Sequence, residues 1–369
     1  ALPQHQPMLK SQIPPFLPRP AQLLSISLLA ALTTLSALHA AELPAPDGKA
    51  ADLDKPVKVF IIMGQSNTLE MGKVGPADKE GSLEYAVKEE GLYPFLVDSA
   101  GNWTVRNDVR QVHVMQKRDN MNVGRNDFLT VKGRKIGIDQ GIGHQLGHAI
   151  DAPVMVLRSS IGNRSLGWDL LPPGSERFEF EDPKDGKTYV YPAYKDEVRH
   201  SRWEKGNVPE PPQHGWYAGK QYDDDVTNAK KILEDLEKYY PGAKGYEIAG
   251  FLWWHGDKDR YDAGHAYRYE TNLATLVKAL RQEFNAPTAK FVCATLGQTS
   301  RENATGNEKL ILEGTMALAE NHEFTGDVSV VYAHPLSMGS ASNAHYGGNA
   351  KTYMNVGLAM GEAMAELLK

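Results

Sequence analysis

Ser66 stands in "KVFIIMGQSNTLEMG", residues 58–72, between Gln65 and Asn67, where an apolar strand-like run gives way to a turn. A serine at such a switch from strand to helix has its hydroxyl at the carboxyl edge of a sheet and its own N–H at a helix amino end. That arrangement suits both attack on a carbonyl and binding of the oxyanion that results. The same Ser-Asn pair suits a plain helix cap, and spacing alone leaves the two readings level. A neutral hydroxyl is a weak nucleophile, so acyl chemistry at Ser66 requires a base. His345, in the polar loop "GSASNAHYGG" (339–348) between the last strand and the terminal helix, is the candidate. His334, at a strand end beside Pro335, is its rival.

Other chemistries find less support. His144 and His148, in "HQLGH", have the i, i+4 spacing of zinc ligands on a helix, but the position of the general-base glutamate is Gln145. Packing or surface histidines are the better reading, and no metal or other cofactor is expected. Cys293 is the only cysteine, which excludes an intramolecular disulfide, and its setting in "AKFVCATLG" reads as a buried strand. Forty basic residues against forty-six acidic ones, interspersed, leave no basic block for a phosphate backbone. Nucleic acid is therefore not an expected partner.

The elements that must position these residues alternate along the chain. Apolar, β-branched runs at 57–63, 153–160, 247–255, 289–296 and 327–334 read as strands. Between and after them lie the helical patterns "GIGHQLGHAI", "VTNAKKILEDLEKYY", "AYRYETNLATLVKALRQEF", "EKLILEGTMALAENH" and "NAKTYMNVGLAMGEAMAELL". Strand and helix in alternation predict an α/β fold, a three-layer α/β/α sandwich around a mainly parallel sheet. Sites in such sheets lie at the carboxyl ends of strands.

Two stretches, near 73–135 and 166–222, break the alternation and read as long loop insertions that wall a cleft. Trp103, Trp168, Trp203 and Trp216 are candidates there for stacking on a sugar, although packing within the insertions is the better bet for any one of them.

Residues 1–40 read as a secretory signal peptide, with "AQLLSISLLAALTTLSALHA" as its apolar run and Lys10 and Arg19 as its formal charges, and 41–56 as a linker. The expected product is exported, periplasmic or secreted, with no stable membrane association once the signal is cleaved. Retention as an anchor is the alternative, against which the Ser and Thr interruptions count. Loss of Lys10 and Arg19 takes the net charge from -6 to -8. Residues 57–369 remain as one domain.

Taken together, four blocks resemble the SGNH/GDSL hydrolase superfamily, in particular its sialate O-acetylesterase-like and family 6 acetylxylan esterase branch. "VFIIMGQSN" is similar to the nucleophile block that this branch writes G-Q-S-N. "GIGHQLGHAI" followed by "APVMVLRSSIGNRSLGWDLLPP" looks like the next helix, strand and loop, and puts Gly162 where an oxyanion-binding N–H is expected. "GFLWWHGDKD" resembles the block W-x-Q-G-E-x-D, and "SNAHYGGNAKTYMNVGLAMGEAM" resembles the closing histidine block.

The resemblance implies Ser66 as nucleophile, His345 as base, and the amides of Ser66 and Gly162 in the oxyanion hole. His255, in place of the family's Gln, is a further oxyanion donor if its tautomer allows. The superfamily commonly has an Asp three residues before the histidine, and here that residue is Ser342. A hydroxyl cannot stabilise an imidazolium as a carboxylate does. The acid is thus expected from Asp257, at the position of the family's Glu, or from Asp259, with loop capping as the plainer role of both, or the site runs as a dyad. The activity implied is a serine carboxylic ester hydrolase that removes O-acetyl groups from an acetylated carbohydrate. A carbohydrate-binding protein on an impaired SGNH scaffold is the alternative, and a zinc hydrolase on His144 and His148 a more remote one.

Overall fold

The structure is a computed structural model, and it describes residues 43–369. The segment read as a signal, 1–40, and the first two linker residues lie outside the described residues. Among the described residues no helix is long and apolar enough to cross a membrane.

The run Val57–Gly64 is β1, a strand buried along nearly its whole length. After it come the short β2 (Gly72–Lys73), β3 (Arg106–Lys117), β4 (Asn120–Leu129), the short β5 (Lys135–Ile136) and β6 (Val154–Ser159). The second insertion holds β7 (Phe178–Glu181), β8 (Thr188–Tyr191) and β9 (Trp203–Glu204), and the chain then supplies β10 (Tyr246–Trp254), β11 (Lys290–Ala294) and β12 (Val328–Val331). Seven of these form the central sheet in the order β12-β11-β10-β1-β6-β3-β4, with every neighbouring pair parallel except β3 and β4. All five strands expected from the sequence are in it.

Alternation along β1 supplies both faces. Val57, Val59, Ile61 and Met63 join a core with Tyr222, Val226, Leu273, Leu276 and Ile311, from the helices Lys220–Glu234, Ala263–Glu283 and Gly306–Ala317. Phe60 and Ile62 join a second core with Ile142, Leu146, Tyr353, Val356 and Met360, from the helices Asp139–Ala149 and Ala350–Leu367. Period-two burial on both faces of one strand is what a sheet covered on both sides requires. The architecture is the expected three-layer α/β/α sandwich.

The reading of 73–135 as a loop insertion differs from what is found, because β3 and β4 lie inside it and widen the sheet. Their apolar signal is broken by buried polar residues of β3, Arg110, Gln111 and His113, and by the half-exposed edge strand β4. Segment 166–222 does stand outside the main sheet. It folds the antiparallel sheet β7-β8-β9 and gathers Trp168, Leu171, Val198 and Ala218 into a small core with Trp203 and Trp216 against it. Trp103 packs against a different cluster, around Phe95 and Leu96.

The chain leaves β1 toward β3 and β6 on one side and later toward β10 on the other. The winding of the sheet therefore reverses at β1, and it is beyond the carboxyl end of such a strand that sheets of this kind place their ligands. Ser66 is two residues past that end.

Candidate active site

Gly64 ends β1 with φ of 148°, and a Cβ there would lie 2.9 Å from Thr68 Cγ2 and 3.0 Å from the Trp254 carbonyl oxygen. Only glycine takes that turn without strain. Beyond it, Ser66–Thr68 form a single 3-10 turn, closed by Leu69 N–H on the Ser66 carbonyl at 3.1 Å and by the Thr68 hydroxyl on the Gln65 carbonyl at 2.7 Å. No full helix follows Ser66, since Leu69 is already extended. Any anion held here is held by individual N–H groups and not by a helix dipole.

A buried ionic network supports this turn from beneath. Arg158, near the end of β6, reaches the Thr68 carbonyl at 3.4 Å and lies 3.8 Å from Glu70 and 3.9 Å from Asp139. His113 meets Asp139 at 2.9 Å and Glu70 at 3.6 Å, and Arg125 meets Glu70 at 3.1 Å. Burial by itself would raise the Asp139 pKa, yet His113 and the neighbouring arginines bring it down to about 2. His113 and Arg158 likewise hold Glu70 below its ordinary value against its own desolvation.

Gly162 follows β6, and a Cβ built on it would lie 3.6 Å from Ser66 Cβ. Among the described residues the N–H groups of Ser66 and Gly162 make no hydrogen bond. Two unengaged amides beside one hydroxyl are the elements of an oxyanion hole.

His345 is half-buried in the turn Ser342–Gly348, which packs against the turn of Ser66. Four successive residues there have positive φ: His345 at 53°, Tyr346 at 52°, Gly347 at 65° and Gly348 at 77°. Such backbone costs roughly 1–2 kcal/mol per non-glycine residue and needs an anchor. Tyr346 supplies one, stacked on Trp254 at 5.4 Å between ring centres with its hydroxyl accepting from Gly297 N–H at 3.1 Å. Among the described residues no hydrogen bond joins the His345 ring to Ser66 Oγ. Catalytic hydrogen bonds are often long in a substrate-free site and close when substrate binds. His334 gives Nδ1–H to the Gly297 carbonyl at 2.8 Å. It follows β12, three strands from β1, roughly 14 Å across the sheet.

The carboxylates part company. Asp257 accepts from the Ser342 hydroxyl and from Arg260 Nε at 3.0 Å, so it faces the histidine turn. Asp259 is buried elsewhere, with its two oxygens on the N–H groups of Leu166 at 2.9 Å and Gly167 at 2.8 Å. It caps the loop after Gly162, and burial pushes its pKa up to about 7. His255 is also buried, with Nε2 at 2.9 Å from the Arg164 carbonyl and Nδ1 at 3.2 Å from the Tyr269 hydroxyl. Both ring nitrogens are engaged away from Ser66, and burial lowers its pKa to about 3, leaving it neutral.

His144 packs in the core at 4.8 Å from the Phe95 ring while His148 is exposed. Among the described residues no group of three or more potential metal ligands gathers. Sequence reasoning missed Arg260, Tyr346 and the network under Ser66. Of the functional groups in the motif itself, the Gln65 side chain carried a signal, since it adjoins Ser66.

Residues 198–366 match the family model described as carbohydrate esterase, sialic acid-specific acetylesterase. The match includes the Asp257 and His345 blocks, and the resemblance to the sialate O-acetylesterase-like branch holds. Ser66 and Gly162 precede the matched segment. Among solved structures, the chain is similar to a protein from Arabidopsis thaliana at 16% identity and a TM-score of 0.46, over 84% of this chain and 98% of that one. It is similar also to a carbohydrate acetylesterase from Xanthomonas citri at 13% identity and a TM-score of 0.44, over 82% of this chain and 55% of that one. A third is NanS, at 12% identity and a TM-score of 0.40, over 78% of each chain. This chain therefore spans about half the length of the Xanthomonas protein. No curated protein matches in sequence.

Proposed function

Because residues 198–366 match the sialic acid-specific acetylesterase family, we propose that the chain is a serine esterase that removes O-acetyl groups from carbohydrate, an acetylated polysaccharide or a sialic-acid-type sugar. His345 takes the proton of Ser66, whose Oγ attacks the acetyl carbonyl. The amides of Ser66 and Gly162 receive the negative oxygen, the protonated His345 returns its proton to the departing sugar hydroxyl, and water repeats the sequence on the acetyl-enzyme. Asp257 acts on the histidine turn through Ser342 and so takes the part of the supporting acid.

One observation carries this reading: Gly162 lies against Ser66 with both N–H groups unengaged, at the edge where the winding of the sheet reverses. The test is hydrolysis of 4-nitrophenyl acetate and of acetylated sugars by the wild-type chain and by Ser66→Ala. The expected loss is at least about 10³-fold with an unchanged melting temperature. Retained activity in Ser66→Ala would remove the nucleophile assignment.

A further inference from the structure

The carbonyl oxygen of Arg164 is a junction between three loops. His255 donates Nε2–H to it at 2.9 Å. The Gln65 amide also donates to it at 2.9 Å while its oxygen accepts the Asp257 N–H at 3.2 Å, the orientation in which both amide atoms are satisfied. Both lone pairs of the carbonyl are thereby used. Gln65 immediately precedes Ser66, His255 comes two residues before Asp257, and Arg164 comes two residues after Gly162. A single atom therefore joins the nucleophile segment, the oxyanion segment and the acid segment.

The histidine is itself held in one tautomer. Because Nε2 faces a carbonyl it must carry the proton, so Nδ1 presents its lone pair to the Tyr269 hydroxyl at 3.2 Å. Trp253 stacks on the imidazole at 4.6 Å between ring centres, which fixes its plane. Two residues beyond the junction, Asp259 binds the N–H groups of Leu166 and Gly167, so the loop cannot turn over downstream either. Rotating the Arg164 peptide would break two buried hydrogen bonds together, and each unsatisfied buried group is costly.

We propose that His255 and Gln65 are positioning residues that hold the oxyanion-binding amide of Gly162 at Ser66 by gripping the Arg164 carbonyl. The inference rests on the esterase reading of Ser66. It gives His255 a role different from direct donation to the oxyanion. Charge builds on the substrate oxygen only in the transition state, so loosening the loop lowers kcat and leaves KM nearly unchanged.

The test compares His255→Leu, His255→Gln and Gln65→Met with wild type. Glutamine reaches with its amide nitrogen about as far as Nε2 and so keeps the donor, whereas leucine keeps bulk alone; methionine at 65 removes the other donor and leaves His255 in place. Readouts are kcat and KM on 4-nitrophenyl acetate, melting temperature, and the rate at which a fluorophosphonate labels Ser66, located by peptide mass. The expected result is a fall in kcat of about 10²-fold in His255→Leu, with KM within about twofold, equal slowing of phosphonylation, and recovery of at least about tenfold in His255→Gln. Gln65→Met falls in the same direction, which keeps the test open if His255→Leu does not fold. Wild-type labelling at Ser66 with undiminished labelling in a folded His255→Leu or Gln65→Met variant would overturn the inference and leave the esterase reading standing. So would equal losses in His255→Leu and His255→Gln that follow melting temperature alone. Absence of labelling in wild type would overturn the esterase reading, and the inference with it.

Discussion

Ser342 donates its hydroxyl hydrogen to the carboxylate of Asp257, joining two loops 85 residues apart in the chain. Ser342 lies three residues before His345, where the hydrolases that this sequence resembles commonly carry their acid. The carboxylate missing from the histidine loop is thus brought to the same place from the end of β10. If it supports the imidazolium through the Ser342 hydroxyl, Asp257→Asn should lower kcat by about 10²-fold with little change in KM, and Ser342→Ala by about tenfold. Two neutral outcomes beside a dead His345→Ala would mean that the site runs as a dyad.

The two candidate bases differ in reach. His345 is carried back from the sheet edge by a turn that packs on the Ser66 turn, whereas His334 remains near β12 on the Gly297 carbonyl. His345→Ala should cost at least about 10³-fold in kcat, and His334→Ala no more than about threefold. Steady-state kinetics on an activated acetyl ester reads both, and a reversal of the order would reassign the base.

Arg158 is surrounded by Glu70 and Asp139 and reaches the carbonyl of Thr68. Arg158→Met would remove one of the charges that offset the buried carboxylates and leave His113 and Arg125 as their partners, at a cost of up to about 3 kcal/mol in urea unfolding. The Ser66 turn rests on the same guanidinium, so residual activity should fall further than the folded fraction does. A variant as stable as wild type would show that the network carries no net stabilisation.

His144 sits in the core with an unpartnered Nδ1, and burial lowers its pKa from 6.5 to about 3. A depressed folded-state value means that folding favours the neutral ring. Its contribution is fully present above pH 6.5 and is lost as the pH falls through that window toward 3. His144→Leu should therefore flatten the fall in stability across the window by up to about 1.4 kcal/mol per pH unit. Urea midpoints measured from pH 7 down to 4 check this. Asp259 works in the opposite sense, because its raised value favours the folded state at low pH and that contribution is lost as the pH rises toward about 7. An unchanged slope in His144→Leu would show that the imidazole gains a partner on protonation.

Much of this protein could be read from its residues in order. Runs such as "VKVFIIM" and "EIAGFLWWH" become strands because burial on both faces demands unbroken apolar character, a local property. The position of Ser66 past the first strand is equally local, as is the glycine that lets the chain turn there. By contrast, β3 was hidden because Gln111 and His113 are polar and buried, and what makes them tolerable is the company of Asp139 and Arg125 from other elements. The roles of Asp257, Asp259 and His255 are likewise hidden in a ten-residue string that presents all three as candidates for chemistry. Which of them faces the histidine turn and which grips the oxyanion loop depends on how the ends of β1, β6 and β10 converge. Hydrogen bonds with fixed geometry are made only after that convergence, between residues as distant in the chain as Leu166 and Asp259, 93 positions apart. Sequence alone therefore determined which residues were eligible, and the tertiary structure decided their partners, because a partner is set by distance in space and not by order along the chain.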